Sequence, residues 1–227
     1  MNEGVLRQFI RADDMYMPLI ALCIFIFMRN KILKRESLLF IYLLINVVFA
    51  AVTDFMGYYH INNLALYHFY TLFEQWFISY YIIKKIIEKN SSAFYIIINT
   101  AFTFFWLLNI YFFEPLNVFN SNTAVISNLL ILLFCMYFML NLSKSEQILF
   151  FQKFPPFWII SGFLVYSALS ILIFSIYKYY TIQNLTLEGN EVWSLMHITI
   201  VAKFVMISFG LLCYKKSFTS IRSPLLL

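Results

Sequence analysis

The sequence predicts an all-α integral membrane protein: a single domain over residues 1–227, built as a bundle of seven membrane-crossing helices with the N-terminus outside and the C-terminus inside. Three observations carry that expectation. Hydrophobic residues make up 62% and charged residues only 12% of the 227, more apolar surface than a soluble domain needs. Apolar runs of about 20 residues, the length that crosses a ~30 Å hydrocarbon layer, recur between short polar breaks. Lysine and arginine fall mostly on alternate breaks, as expected of loops retained in the cytoplasm.

The first run, near 15–29, is the shortest. Asp13 and Asp14 precede it and Arg29, Lys31, Lys34 and Arg35 follow it, the reverse of a signal peptide's basic start, so a retained helix is expected. The second and third runs lie near 37–54 and 64–83, the third behind Asn62-Asn63, side chains suited to capping a helix start. The fourth and fifth lie near 93–113 and 122–142, with Asn122-Thr123 offering caps to the fifth. The sixth, near 157–177, starts behind Pro155 and Pro156, which a first helical turn tolerates because its N–H groups lack partners anyway. The seventh spans about 192–214. Connections this short make neighbouring helices antiparallel.

Beyond the cations after the first run, Lys84, Lys85 and Lys89 follow the third, Lys144 and Lys153 the fifth, and Lys215, Lys216 and Arg222 the seventh. The opposite side holds only Arg7, Arg11 and Lys178. That alternation requires an odd number of spans and fits a bacterial inner membrane. It also attributes the pI near 9.0 to topology and anionic lipid, with no nucleic-acid partner implied. Cys23, Cys135 and Cys213 lie inside apolar runs and read as small core residues. Tyr58, Tyr59, Tyr80, Tyr81, Tyr179, Tyr180 and Tyr214 sit near run ends and read as an interfacial belt.

Charges deep in a bilayer are costly and generally face the bundle interior with a partner. Glu74 falls about 15 Å below the outer end of the third run and Lys203 about 16 Å below that of the seventh, at 1.5 Å per residue. The deep anion and the deep cation therefore lie at one level and are expected to face each other. His68 precedes Glu74 by six residues, as His197 precedes Lys203. Tyr67, Tyr70, Thr71 and Gln75 extend the polar stripe on the third run. Asp54, Asn109, Asn128, Ser170 and Ser194 fall in the outer halves or at the outer ends of other runs. A polar pocket in the outer half, floored by Glu74 and Lys203, is the expectation. Asn46, Asn99, Asn128 and Ser161 taken singly read as packing hydrogen bonders.

The stretches "NNLALYHFYTLFEQW" (62–76), "FWIISGFLVYSALSILIF" (157–174) and "WSLMHITIVAKFVMISFG" (193–210) resemble a family of small seven-helix membrane proteins of Bacteroidota to which no reaction is attached. The resemblance implies that Tyr67, His68, Tyr70, Glu74, Tyr166, His197 and Lys203 form a site. In architecture the chain is also similar to microbial rhodopsins. That similarity implies Lys203 as a Schiff-base lysine for retinal, Glu74 as its counter-ion, and Trp76 and Trp158 along a polyene pocket. Thr199 stands where that family usually has a second carboxylate.

Other chemistries are thinly represented. A zinc site from His68, His197 and Asp54, as in seven-helix zinc hydrolases, or haem held between His68 and His197, are the metal alternatives. Neither a GxSxG nor a phosphate-cradling glycine loop occurs among the five glycines, so the residues favour a non-enzymatic role while leaving an activity open. Few helix-breaking residues interrupt the runs as a carrier with broken helices would need. The short tail after Tyr214 implies no attached output domain. The function expected is receptor-like: a ligand or stimulus met in the outer pocket, no obligatory cofactor, and a separate membrane or cytoplasmic partner for output.

Overall fold

The computed structural model describes residues 3–86, 92–144, 151–183 and 185–217. Among them are seven α-helices, one 3-10 turn at Phe151–Lys153 and no strand. The helices are α1 (Glu3–Phe27), α2 (Arg29–Tyr58), α3 (Leu64–Ile86), α4 (Ser92–Phe112), α5 (Ser121–Ser143), α6 (Pro155–Ile182) and α7 (Thr186–Ser217). Five helices contain segments long and apolar enough to cross a membrane: 36–58, 93–112, 121–143, 155–182 and 191–214. In α1 the apolar part is confined to Met15–Phe27. In α3 the polar groups His68, Thr71, Glu74 and Gln75, with Lys84 and Lys85 at the end, dilute a 23-residue helix. The α2–α3, α4–α5 and α6–α7 connections lie at one end of the antiparallel bundle, called the upper end below. Lys89 and Arg222, part of the charge pattern, lie outside the described residues.

Several helix boundaries depart from the apolar runs for identifiable reasons. Helix α1 begins twelve residues earlier than its apolar run, because backbone pairing continues through the charged segment. Only Met28 separates α1 from α2. The expected polar loop is absorbed into α2, whose one non-helical residue is Glu36 (φ −128°, ψ 30°). At α3 the expected cap is present, with Asn62 Oδ1 accepting from Leu64 N at 2.9 Å. At α5 it is not: Asn122 is already helical, and the Glu114 carboxylate accepts its N–H at 2.9 Å. A carboxylate there also faces the positive end of the helix dipole. Pro155 and Pro156 occupy the first turn of α6.

Helices α6 and α7 pack most extensively, and two glycines make their close approach possible. A Cβ on Gly162 would lie 2.8 Å from the Lys203 carbonyl oxygen, and one on Gly210 would lie 2.6 Å from Ile159 Cγ1. Small residues at membrane-helix interfaces act in this way, by letting backbones meet. Helix α1 packs on α7 and α2, and α3 packs on α5. The apolar core in the lower half includes Phe25, Leu39, Tyr42, Ile78, Phe163 and Ile207. Helix α4 is peripheral, with Ile97 and Phe104 more than 60% exposed, an apolar outer face suited to lipid.

Candidate functional site

The lower end of the site is an ion pair between α3 and α7. Lys203 Nζ lies 3.2 Å from Glu74 Oε1, and the two side chains are 2% and 8% exposed. The same oxygen accepts the Tyr42 hydroxyl at 2.8 Å and the Tyr70 hydroxyl at 2.9 Å. Tyr70 shares its single hydroxyl hydrogen between Glu74 Oε1 and Asn46 Oδ1, the latter at 2.7 Å, and Asn46 Nδ2 donates to the Tyr42 carbonyl. A buried carboxylate is tolerable only when its charge is opposed and its lone pairs are occupied. Here one cation and two hydroxyls from three helices meet that demand at Oε1. No described residue bonds Oε2.

Aromatic rings also hold the ammonium. Its nitrogen lies 3.8 Å from the centroid of the Tyr166 ring and 5.0 Å from that of Phe204, within the range of cation–π attraction. The Gly162 contact with the Lys203 carbonyl sets α6 close enough for Tyr166, one turn further along, to reach the amine.

Above this floor, in the upper half of the bundle, is a cavity of about 100 Å³ lined from α2, α3, α5, α6, α7 and the α4–α5 connection. Its roof is aromatic: Trp193 packs edge-on against Phe119 at 5.0 Å and against Tyr67 at 6.5 Å. Its walls include Thr71, Asn120, Asn128 and His197. Asn120 Nδ2 donates to Thr71 Oγ1 at 2.6 Å, fixing the connection onto α3. Asn128 is 5% exposed, and its Oδ1 is buried without a hydrogen-bond partner.

Of the residues singled out from sequence, Glu74, Lys203, His197, Tyr67, Tyr70, Thr71 and Tyr166 line this cavity. Three do not. His68 is fully buried on another face of α3, where its Nε2 meets the Val118 carbonyl at 2.8 Å and its carbonyl accepts the Trp106 indole. Gln75 turns toward α4 and α5, bonding Asn99 and Ser127. Thr199 bonds back to the Met196 carbonyl within its own helix.

The metal alternatives do not assemble. Asp54 is exposed, His68 is committed elsewhere, and no group of three His, Cys, Asp or Glu among the described residues is placed to hold a metal. A haem between His68 and His197 meets the same obstacle at His68. The polyene lining also differs from expectation. Trp76 bonds Thr103 on α4 and Trp158 bonds the Gln152 carbonyl, whereas Trp193 is the tryptophan on the cavity. The cavity is well below the roughly 300–1,000 Å³ of pockets for drug-sized ligands, and Lys203 already has a salt-bridge partner.

Sequence reasoning missed two further buried carboxylates. Glu36, 1% exposed, accepts Lys85 Nζ at 2.5 Å and the Tyr214 hydroxyl, joining the lower ends of α2, α3 and α7. Glu114 joins the upper ends of α4, α5 and α6 through Asn109, Asn122 and Lys178 Nζ, the last at 3.2 Å. Tyr81 and Tyr214, expected in the interfacial belt, are instead 1% and 4% exposed, Tyr214 as a partner of Glu36. The signal for the cavity's α2 wall was present in Asn46, Phe49, Ala50 and Thr53, which recur at helical spacing on one face.

With the site described, its comparison with known proteins adds no relative: the chain matches no family model, no curated protein and no solved structure.

Proposed function

We propose that the chain is a receptor-like protein of a bacterial inner membrane, spanning it seven times with the upper end outside. It takes a small ligand into the cavity above Glu74 and Lys203 and passes a helix displacement to a separate partner on the inner side. The spans of α1 and α3 complete the five apolar ones: α3 hides its polar stripe inside the bundle, and α1 is closed off from the polar interior by α2 and α7. The basic residues concentrated at the lower end support the orientation.

The observation that carries this reading is that one helix serves both sites. Helix α7 brings Lys203 to the cavity floor and, eleven residues or about 16 Å further, Tyr214 to Glu36. An occupant that changes the Glu74–Lys203 distance acts on a rigid rod whose far end is hydrogen-bonded to α2 and, through Glu36, to α3. Two discrete packings of such an element are what a transmembrane switch requires.

Hydrogen exchange of the protein in lipid nanodiscs tests it. Replacing the pair together, as Glu74→Gln with Lys203→Met, is expected to speed amide exchange both around residue 203 and at residues 211–217. Exchange altered at the floor but unchanged at 211–217 overturns the coupling and leaves a packing role.

A further inference from the structure

We propose that the cavity selects a small zwitterion, one carrying a primary ammonium and an anionic group a few bonds apart. This rests on the receptor-like reading of the same cavity and names its ligand class. The floor is amphoteric and unfinished on both sides. Glu74 Oε1 takes three donors, whereas Oε2 takes none from the described residues and remains a carboxylate oxygen able to accept an N–H. Lys203 has one acceptor, at 3.2 Å, and otherwise rests on ring faces, the nearest at 3.8 Å. An ammonium carries three donors, so hydrogens remain for an anion. A second acceptor, Asn128 Oδ1, lacks a partner in the wall of the same cavity.

Charge balance then discriminates among ligands. The Glu74–Lys203 pair has no net charge, so an added monocation or monoanion leaves one uncompensated charge at depth, a costly state in low dielectric. A zwitterion adds no net charge while giving its ammonium to Glu74 Oε2 and its anion to Lys203. Size sets the remainder. A cavity of about 150 Å³ accommodates the six carbons of benzene, so at the same packing 100 Å³ admits about four non-hydrogen atoms. The ethanolamine end of a phospholipid headgroup entering from the outer leaflet meets this limit, and short amino acids, one or two atoms larger, fit when the cavity wall gives by a small side-chain movement. The chemistry is shared, and the source is for experiment to separate.

The test is thermal unfolding and equilibrium binding of the intact protein in detergent, at fixed ionic strength. β-Alanine is compared with propionate, propylammonium and uncharged propanamide, which share its skeleton but lack one or both charges. Dihexanoyl phosphatidylethanolamine supplies the lipid arm. A saturable rise in Tm with β-alanine, at concentrations at least tenfold below any response to the three single-function analogues, supports the proposal. Response to the phosphatidylethanolamine alone supports it with a headgroup as the source. The Glu74→Gln, Lys203→Met double variant, which leaves no lone buried charge, is expected to fold and to lose the response. Equal responses to the analogues, no response to either zwitterion, or a response retained in the double variant overturns it. A cavity that binds only propylammonium or propionate would refute the zwitterion and leave the receptor-like reading standing, because hydrogen exchange along α7 tests that coupling separately.

Discussion

The ammonium of Lys203 lies 3.8 Å from the centre of the Tyr166 ring and 3.2 Å from Glu74 Oε1. The ring face compensates part of the charge that burial takes from water, an attraction of about 2 kcal/mol or more when desolvated. Replacing Tyr166 by Leu is expected to lower stability by about 2 kcal/mol, whereas Tyr166→Phe retains the ring face and changes stability by under about 1 kcal/mol. Unfolding in a mild detergent, followed by tryptophan fluorescence, checks both. Equal losses for Leu and Phe would mean that the hydroxyl, not the ring, matters.

The pair itself is expected to behave non-additively. Glu74→Gln leaves a buried ammonium and Lys203→Met leaves a buried carboxylate, each costing about 3–5 kcal/mol, while the double substitution leaves no net charge and costs much less than their sum. A double-mutant cycle on unfolding free energy measures this. A coupling near zero would show that the two charges are independently solvated and that the floor is not dry.

Two glycines give opposite expectations from the same substitution. At Gly162 an added methyl would lie 2.8 Å from the Lys203 carbonyl and 3.2 Å from Met206 Cβ, whereas nothing lies within 4 Å of the corresponding point on Gly57. Gly162→Ala is therefore expected to push α6 from α7 at a cost of about 1–3 kcal/mol. Gly57→Ala, in a helix open to its surroundings, is expected to be neutral or to stabilise by up to about 1 kcal/mol. Thermal unfolding of the two variants side by side decides it, and equal behaviour would refute the close approach.

How much of this was legible follows from what each signal depends on. Depth along a helix follows from residue number alone, so the common level of Glu74 and Lys203 could be read from the chain. Direction around the helix could not be read as well. His68 and Gln75 belong to the same polar stripe in sequence, yet neither lines the cavity: His68 meets Val118 in the α4–α5 connection, and Gln75 meets Asn99 on α4 and Ser127 on α5. Glu36 was hidden for a different reason. It sits where the apolar run begins and so reads as part of a solvated connection, but only Met28 separates α1 from α2, and the helix continues through it. Its burial depends on Lys85 and Tyr214, 49 and 178 residues away, a proximity that no local pattern encodes. Glu114 was missed similarly, since Lys178 lies 64 residues from it.

The Glu36 cluster should show a directional asymmetry that a simple contact count would not predict. The Glu36 side chain is fully buried, while that of Lys85 is 19% exposed. Removing the acid by Glu36→Gln leaves an ammonium on a flexible stem that can turn to water at the lower face, so the cost is modest, about 1 kcal/mol. Removing the base by Lys85→Met leaves a carboxylate with no exposed route. One of its oxygens, Oε2, already lacks a hydrogen-bond partner, and among the described residues the Tyr214 hydroxyl is then the donor left on Oε1. That loss is expected to be about 3 kcal/mol or more. Tyr214→Phe should fall between the two, removing one donor to a buried ion at about 1.5–3 kcal/mol. Unfolding free energies for the three variants in one detergent provide the ranking. If Glu36→Gln proves as damaging as Lys85→Met, the acid is required for the break in α2 at that residue and not merely held by its partners.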